Sequence, residues 1–123
     1  MRYLTDRKRA TGMGSGRDGT AHHWHMVISS ILMVFAVPAL VIVIATAMGR
    51  SFADVGAYLA QPGIALITVL SAAVIIHHVM NEALEAIEDY VHGTAGKLAQ
   101  VATRAFAYIL IAAAIFAVAR IAL

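Results

Sequence analysis

The stretch Ile64–His92, IALITVLSAAVIIHHVMNEALEAIEDYVH, decides how the whole chain is read. It is apolar from Ile64 to Ile76 and then turns amphipathic, carrying His77, His78, Glu82, Glu85, Glu88, Asp89 and His92 before Gly93 closes it. At about 100° per helical residue, Glu82, Glu85, Asp89 and His92 fall within roughly 40° either side of His78, which makes one polar stripe. Ionisable groups in a lipid-facing segment are costly, so the stripe reads as a cofactor, ion or partner site.

The rest of the chain frames that stripe. Hydrophobic residues make up 61% of the 123 and charged residues only 13%, outside the range of a soluble domain, so the class is an all-α integral membrane protein in one unit, residues 1–123. There is no cysteine, which excludes disulfides, thiolate metal sites, Fe–S ligation and cysteine nucleophiles. A net charge of +2 is too small to argue for nucleic acid.

Residues 1–24 read as a flexible, basic, aqueous tail. Arg2, Arg7, Lys8, Arg9 and Arg17 outnumber Asp6 and Asp18, and Gly12, Gly14, Gly16 and Gly19 break any helix. A first span covers 25–48, long enough for a hydrocarbon core of about 30 Å, with Pro38 near its middle bending the helix. Ala45-Thr46-Ala47 imitates a cleavage site, but the run Met26–Met48 is about twice the length of a signal h-region, so the segment is read as a retained span.

Gly49-Arg50-Ser51 opens a short connection in which Phe52–Tyr58 reads as an interfacial turn of helix, and Pro62-Gly63 starts the second span at 64–91. A polar connection, His92–Lys97, leads to a third span over 98–123, where Ala113 and Ala117 are spaced for close helix approach and Arg104 and Arg120 can snorkel to opposite interfaces. The basic tail, with Lys97 and Arg104 after the second span, places the amino terminus and the second connection in the cytoplasm. No Walker, Rossmann or nucleophile-elbow pattern occurs, so no catalytic centre is expected in the chain itself.

His78 lies halfway along the second span, roughly 18 Å from Tyr90 at the cytoplasmic end, and a neutral midplane imidazole suits haem iron as well as a structural hydrogen bond. His22, His23, His25 and His92 are too far along the membrane normal to share an iron with it, and His77 points about 100° away. A bis-histidine haem therefore needs its second ligand from another polypeptide. His22-His23-Trp24-His25 reads as a transition-metal site or, better, as an interfacial belt anchored by Trp24. Glu82, Glu85 and Glu88 read as a proton relay or as solvated interfacial charges, with Glu82 expected to be the most buried. Tyr90 points about 120° from His78; its hydroxyl can donate to a carbonyl of an amphiphilic ligand such as a quinone, with Asp89 beside it, or it is an interfacial anchor.

Gly19-Thr20-Ala21-His22-His23-Trp24 leading into the first span, and His78 followed after ten residues by Asp89-Tyr90, resemble the hydrophobic membrane anchor subunits of succinate dehydrogenase, respiratory complex II, in their alphaproteobacterial branch. The resemblance covers nearly the whole chain. It implies three transmembrane helices packed against a cytochrome b subunit in the bacterial inner membrane. It also implies His78 as one axial ligand of haem b, and Tyr90 with Asp89 at the ubiquinone site facing the iron–sulfur subunit, with a flavoprotein subunit beyond. Glu82 stands where the family pattern usually has glycine. The rival readings are an anchor for a fumarate-reducing enzyme of the same architecture, a small proton-coupled transporter using Glu82, and an assembly factor in which His78 is only hydrogen-bonded.

Overall fold

The computed structural model describes residues 5–12 and 18–122, and among these every regular element is helical. A short α1, Asp6–Thr11, forms inside the tail, contrary to the expectation that no helix would form there. Thr5 caps it by accepting from the Lys8 backbone N–H at 3.3 Å, Asp6 sits in its first turn and Lys8 and Arg9 in its last, all favourable to the helix dipole. The breaker acts one residue later, where Gly12 adopts φ +52°. The readings placed on Arg2, Gly14, Gly16 and Arg17 fall outside the described residues.

The first long helix, α2, spans Asp18–Ala47 and so begins seven residues before the expected start at 25. Beyond Gly19 nothing in Thr20–His25 breaks a helix. The helix runs through Pro38 without ending. Gly49 at φ +78° then turns the chain, and Ser51 starts α3, Phe52–Leu59, by accepting from the Asp54 N–H at 3.2 Å while its own hydroxyl donates to the Asp54 carboxylate at 2.6 Å. This is the interfacial helix the sequence suggests. The Arg50 guanidinium lies 4.8 Å over the Tyr58 ring and ties the connection to it.

Pro62 opens α4, Pro62–Tyr90, at the one helical position where its missing N–H costs nothing. The connection that follows is shorter than expected: only Val91 and His92 separate α4 from α5, Gly93–Ala122. Gly93 makes the turn at φ +71°, and Gly96, read as part of the loop, is instead a buried helical residue packed on the Val91 carbonyl.

Helix α4 is the central element, with α2 and α5 packed on it rather than on each other, and α3 contacting both α4 and α5. The α2 residues buried there are Ser29, Ala36 and Val43, seven residues apart each time. Two hydrogen-bonded pairs set the register: His22 with Glu85, and Ser29 with His78, seven residues on along α2 and seven back along α4. Extended by the same step, the register sets Ala36 opposite Ser71, which is itself buried. A seven-residue repeat belongs to the shallow crossing of about 20°, and small residues on both sides permit close approach. On the other face Met80, Leu84 and Ala107 form a small cluster with Ile76. Ala113 and Ala117 are exposed; the small α5 residues buried in the chain are Gly96 and Ala107.

Among the described residues no side chain is fully enclosed, and large apolar residues such as Phe35 at 70% and Phe116 at 66% are open. Three helices, Thr20–Ala47, Pro62–Tyr90 and Gly93–Ala122, are long and apolar enough to cross a bilayer. A soluble monomer does not leave so much apolar surface uncovered. The chain is a multi-pass membrane protein whose outer faces meet lipid or other subunits.

Gly96→Ala places a methyl group against the Val91 carbonyl oxygen, whereas a methyl at Gly63 meets nothing. Overpacking of this kind costs about 1–3 kcal/mol. Thermal unfolding of the purified protein in detergent is expected to show a lowered midpoint for Gly96→Ala and little change for Gly63→Ala.

Candidate functional site

The site is built on the part of α4 that α2 covers incompletely. His78 is mostly buried, with 15% of its side chain exposed. Its Nδ1 lies 2.9 Å from the Ser29 hydroxyl, and that hydroxyl donates its only proton to the Met26 carbonyl at 3.0 Å. With its proton on the Met26 carbonyl, Ser29 can accept from an Nδ1–H of His78, the arrangement that leaves the Nε2 lone pair free. The nearest polar atom to Nε2 across the salt-bridge range is the Glu82 carboxylate at 3.7 Å, too far for a hydrogen bond. Of its two ring nitrogens, Nδ1 is thus engaged by Ser29 and Nε2 makes no hydrogen bond among the described residues.

His77 is in the opposite state. It is exposed, and its Nδ1 sits 3.3 Å from the Asn81 amide nitrogen, which can only donate. Its Nδ1 lone pair is engaged and Nε2 carries the proton. Of the two adjacent imidazoles, His78 is the one held from another helix, through Ser29, while His77 meets Asn81 of its own helix.

The carboxylates divide differently from the expectation. Glu82 is not the most buried: its side chain is 57% exposed, against 44% for Glu85. Rotation explains this, since Glu85 turns under α2 to meet His22 at 2.8 Å, while Glu82 turns about 40° the other way, past the edge of α2. With His22, His23, Met26 and Ser30 they border a cleft of about 460 Å³. His92 leaves the stripe altogether, because α4 ends at Tyr90.

Among the described residues no three His, Asp or Glu side chains converge on a metal-binding point. His22 pairs with Glu85, His23 borders the cleft and Trp24 is 62% exposed. Asp89 and Tyr90 occupy the last two positions of α4 and are both exposed, Tyr90 at 83%. They stand about 18 Å from His78 along the helix. The structure therefore keeps them apart from His78 and does not gather the three into one pocket. Ser29 was not picked out from sequence, and neither was the His22–Glu85 pair. The signal was present as matched seven-residue steps, His22 to Ser29 and His78 to Glu85, but it has meaning only once α2 is known to run antiparallel to α4.

An all-helical, three-span membrane protein with a mostly buried histidine inside its central helix is the class these features define. The chain belongs to the family of succinate dehydrogenase/fumarate reductase transmembrane subunits, whose profile matches residues 1–119. It is 40% identical to the succinate dehydrogenase hydrophobic membrane anchor subunit of Paracoccus denitrificans, over all of this chain and 95% of that protein. No solved structure matches it significantly. The protein is accordingly a membrane anchor subunit of that family.

The His22–Glu85 pair is about half exposed on both sides, and such pairs contribute at most about 1 kcal/mol. A double-mutant cycle of His22→Ala and Glu85→Ala, read by thermal unfolding, is expected to return a coupling within that bound.

Proposed function

We propose that this chain anchors a succinate-oxidising dehydrogenase to the bacterial inner membrane, with its amino-terminal segment cytoplasmic, and that α4 carries two separate stations. At the first, His78 is one axial ligand of a haem b whose other ligand comes from a cytochrome b subunit. At the second, Tyr90 and Asp89 form part of a ubiquinone site beside the iron–sulfur subunit, which receives electrons from the flavoprotein subunit.

The observation that carries the reading is the state of His78. The ring is held from behind by Ser29, its Nε2 is unclaimed, and the α4 face next to it, including Val79 and Ala86, is uncovered within the chain. A single histidine with one available nitrogen fits half of a bis-histidine haem site and leaves the other half to a partner. Glu82 does not obstruct this: its exposed side chain can turn away without breaking a packed contact. When bound, the haem supplies a one-electron carrier inside the membrane.

At the other end, the exposed phenol of Tyr90 has the chemistry to donate a hydrogen bond to a quinone carbonyl, and Asp89 is next to it to orient or polarise that donor. The basic residues Arg7, Lys8 and Arg9 precede α2 at the same end of the bundle as Tyr90, Gly93 and Lys97, which supports a cytoplasmic setting for that end. The matched family and the Paracoccus denitrificans relative support the succinate-linked role.

In the complex purified with its partner subunits, His78→Ala is expected to lose the low-spin b-type haem spectrum, while His77→Ala keeps it. A haem-free complex that retains all its subunits would count against the ligand assignment. Tyr90→Phe is expected to lower succinate-driven quinone reduction at least tenfold and to leave succinate oxidation by an artificial dye acceptor near the unmodified rate. Equal loss of both activities would point instead to failed assembly.

A further inference from the structure

We propose that Ser29, on α2, is a positioning residue for His78: it holds the imidazole in the ligating tautomer and, by accepting from Nδ1–H, raises the basicity of Nε2 and lowers the potential of the haem. This rests on the reading of His78 as an axial ligand and adds to it a residue from a different helix.

Three features carry the inference. The first is proton bookkeeping at one oxygen. A lone serine hydroxyl facing a histidine can donate or accept, and donation to Nδ1 would leave the proton on Nε2 and block ligation. When Nε2 is the ligating nitrogen the ring proton sits on Nδ1, and Ser29, 2.9 Å away, can accept from it while its own proton reaches the Met26 carbonyl at 3.0 Å, one turn back on α2.

The second is burial. Ser29 is 7% exposed and lies in the seam between α2 and α4, so water cannot readily take its place as acceptor. In such a low-dielectric setting the bond is stronger than in water, and its loss leaves an N–H without a partner. The third is register. Ser29 belongs to the same seven-residue series as Ala36 and Val43, so helix packing sets its hydroxyl at the level of His78. Ring orientation is thereby coupled to the docking of α2.

A hydrogen bond to the distal nitrogen of a metal-bound histidine fixes the ring and strengthens it as a donor, which favours the oxidised, more positively charged metal. Removing such a partner typically weakens metal binding by about 10–100-fold.

The test uses the assembled complex with Ser29→Ala, Ser29→Cys and Ser30→Ala. Ser30 also donates to the Met26 carbonyl, at 2.8 Å, but is exposed and makes no bond to His78, so its variant controls for changes to the α2 backbone. Cysteine keeps the size of serine with a much weaker acceptor, which covers the case in which alanine impairs assembly. The readouts are haem retained per complex, haem loss to apomyoglobin, and the midpoint potential by optical titration. The expected result is haem loss at least about tenfold faster in Ser29→Ala, a midpoint shifted to more positive potential, an intermediate shift in Ser29→Cys, and values for Ser30→Ala matching the unmodified complex.

Retention and potential unchanged in both Ser29 variants would overturn the proposal while leaving His78 as ligand. Equal changes in Ser29→Ala and Ser30→Ala would also overturn it, by assigning the effect to α2 as a whole. Persistence of the low-spin spectrum in His78→Ala would overturn the ligand reading itself, and the role of Ser29 with it.

Discussion

The antiparallel register between α2 and α4 is the constraint on which the rest of the structure depends. Two polar pairs, His22 with Glu85 and Ser29 with His78, fall on the same seven-residue step as the buried apolar contacts of Ala36 and Val43. Moving α2 along α4 by one residue would separate both pairs and turn bulky apolar side chains into a seam now made with Ser29, Ala36 and Ser71. In an apolar environment a polar group without a partner is penalised heavily. The two hydrogen bonds therefore act as register marks, and close packing of small residues supplies the contact between them.

The same seam explains why the two imidazoles of an adjacent pair have different surroundings. His77 and His78 differ by about 100° of helix rotation, which sends one towards Asn81 on an exposed face and the other towards Ser29. Their chemical difference is a difference of neighbours. The flank of α4 beside His78 and its tip at Tyr90 are both exposed in the chain. That agrees with an anchor subunit whose apolar surfaces are covered by lipid and by other subunits.

Glu82 shows how rotation separates residues that sequence groups together. On a helical wheel it belongs to the stripe with His78, Glu85 and Asp89. Once α2 is in place the stripe is divided along its length: Glu85 turns under α2 and pairs with His22, Glu82 lies at the margin, and Asp89 continues beyond the packed region to the helix end. A side chain at the margin can move aside for a neighbouring group.

Much of the architecture was legible in the sequence because hydropathy and breakers are local properties. The three long apolar runs, the turn at Gly49, the helix start at Pro62 and the short interfacial helix after Ser51 each follow from residues that act within a few positions of themselves. Element ends were less legible: α2 extends back to Asp18 and α5 to Gly93, because a missing breaker does not mark a boundary and Gly96 serves a helix contact where its composition suggested a loop. Only the tertiary structure decided that Ser29 meets His78, that His22 meets Glu85 and that Glu82 stays exposed. These depend on which face α2 presents to α4 and in what register, a property of two segments about fifty residues apart. Helical periodicity in either segment alone does not contain it.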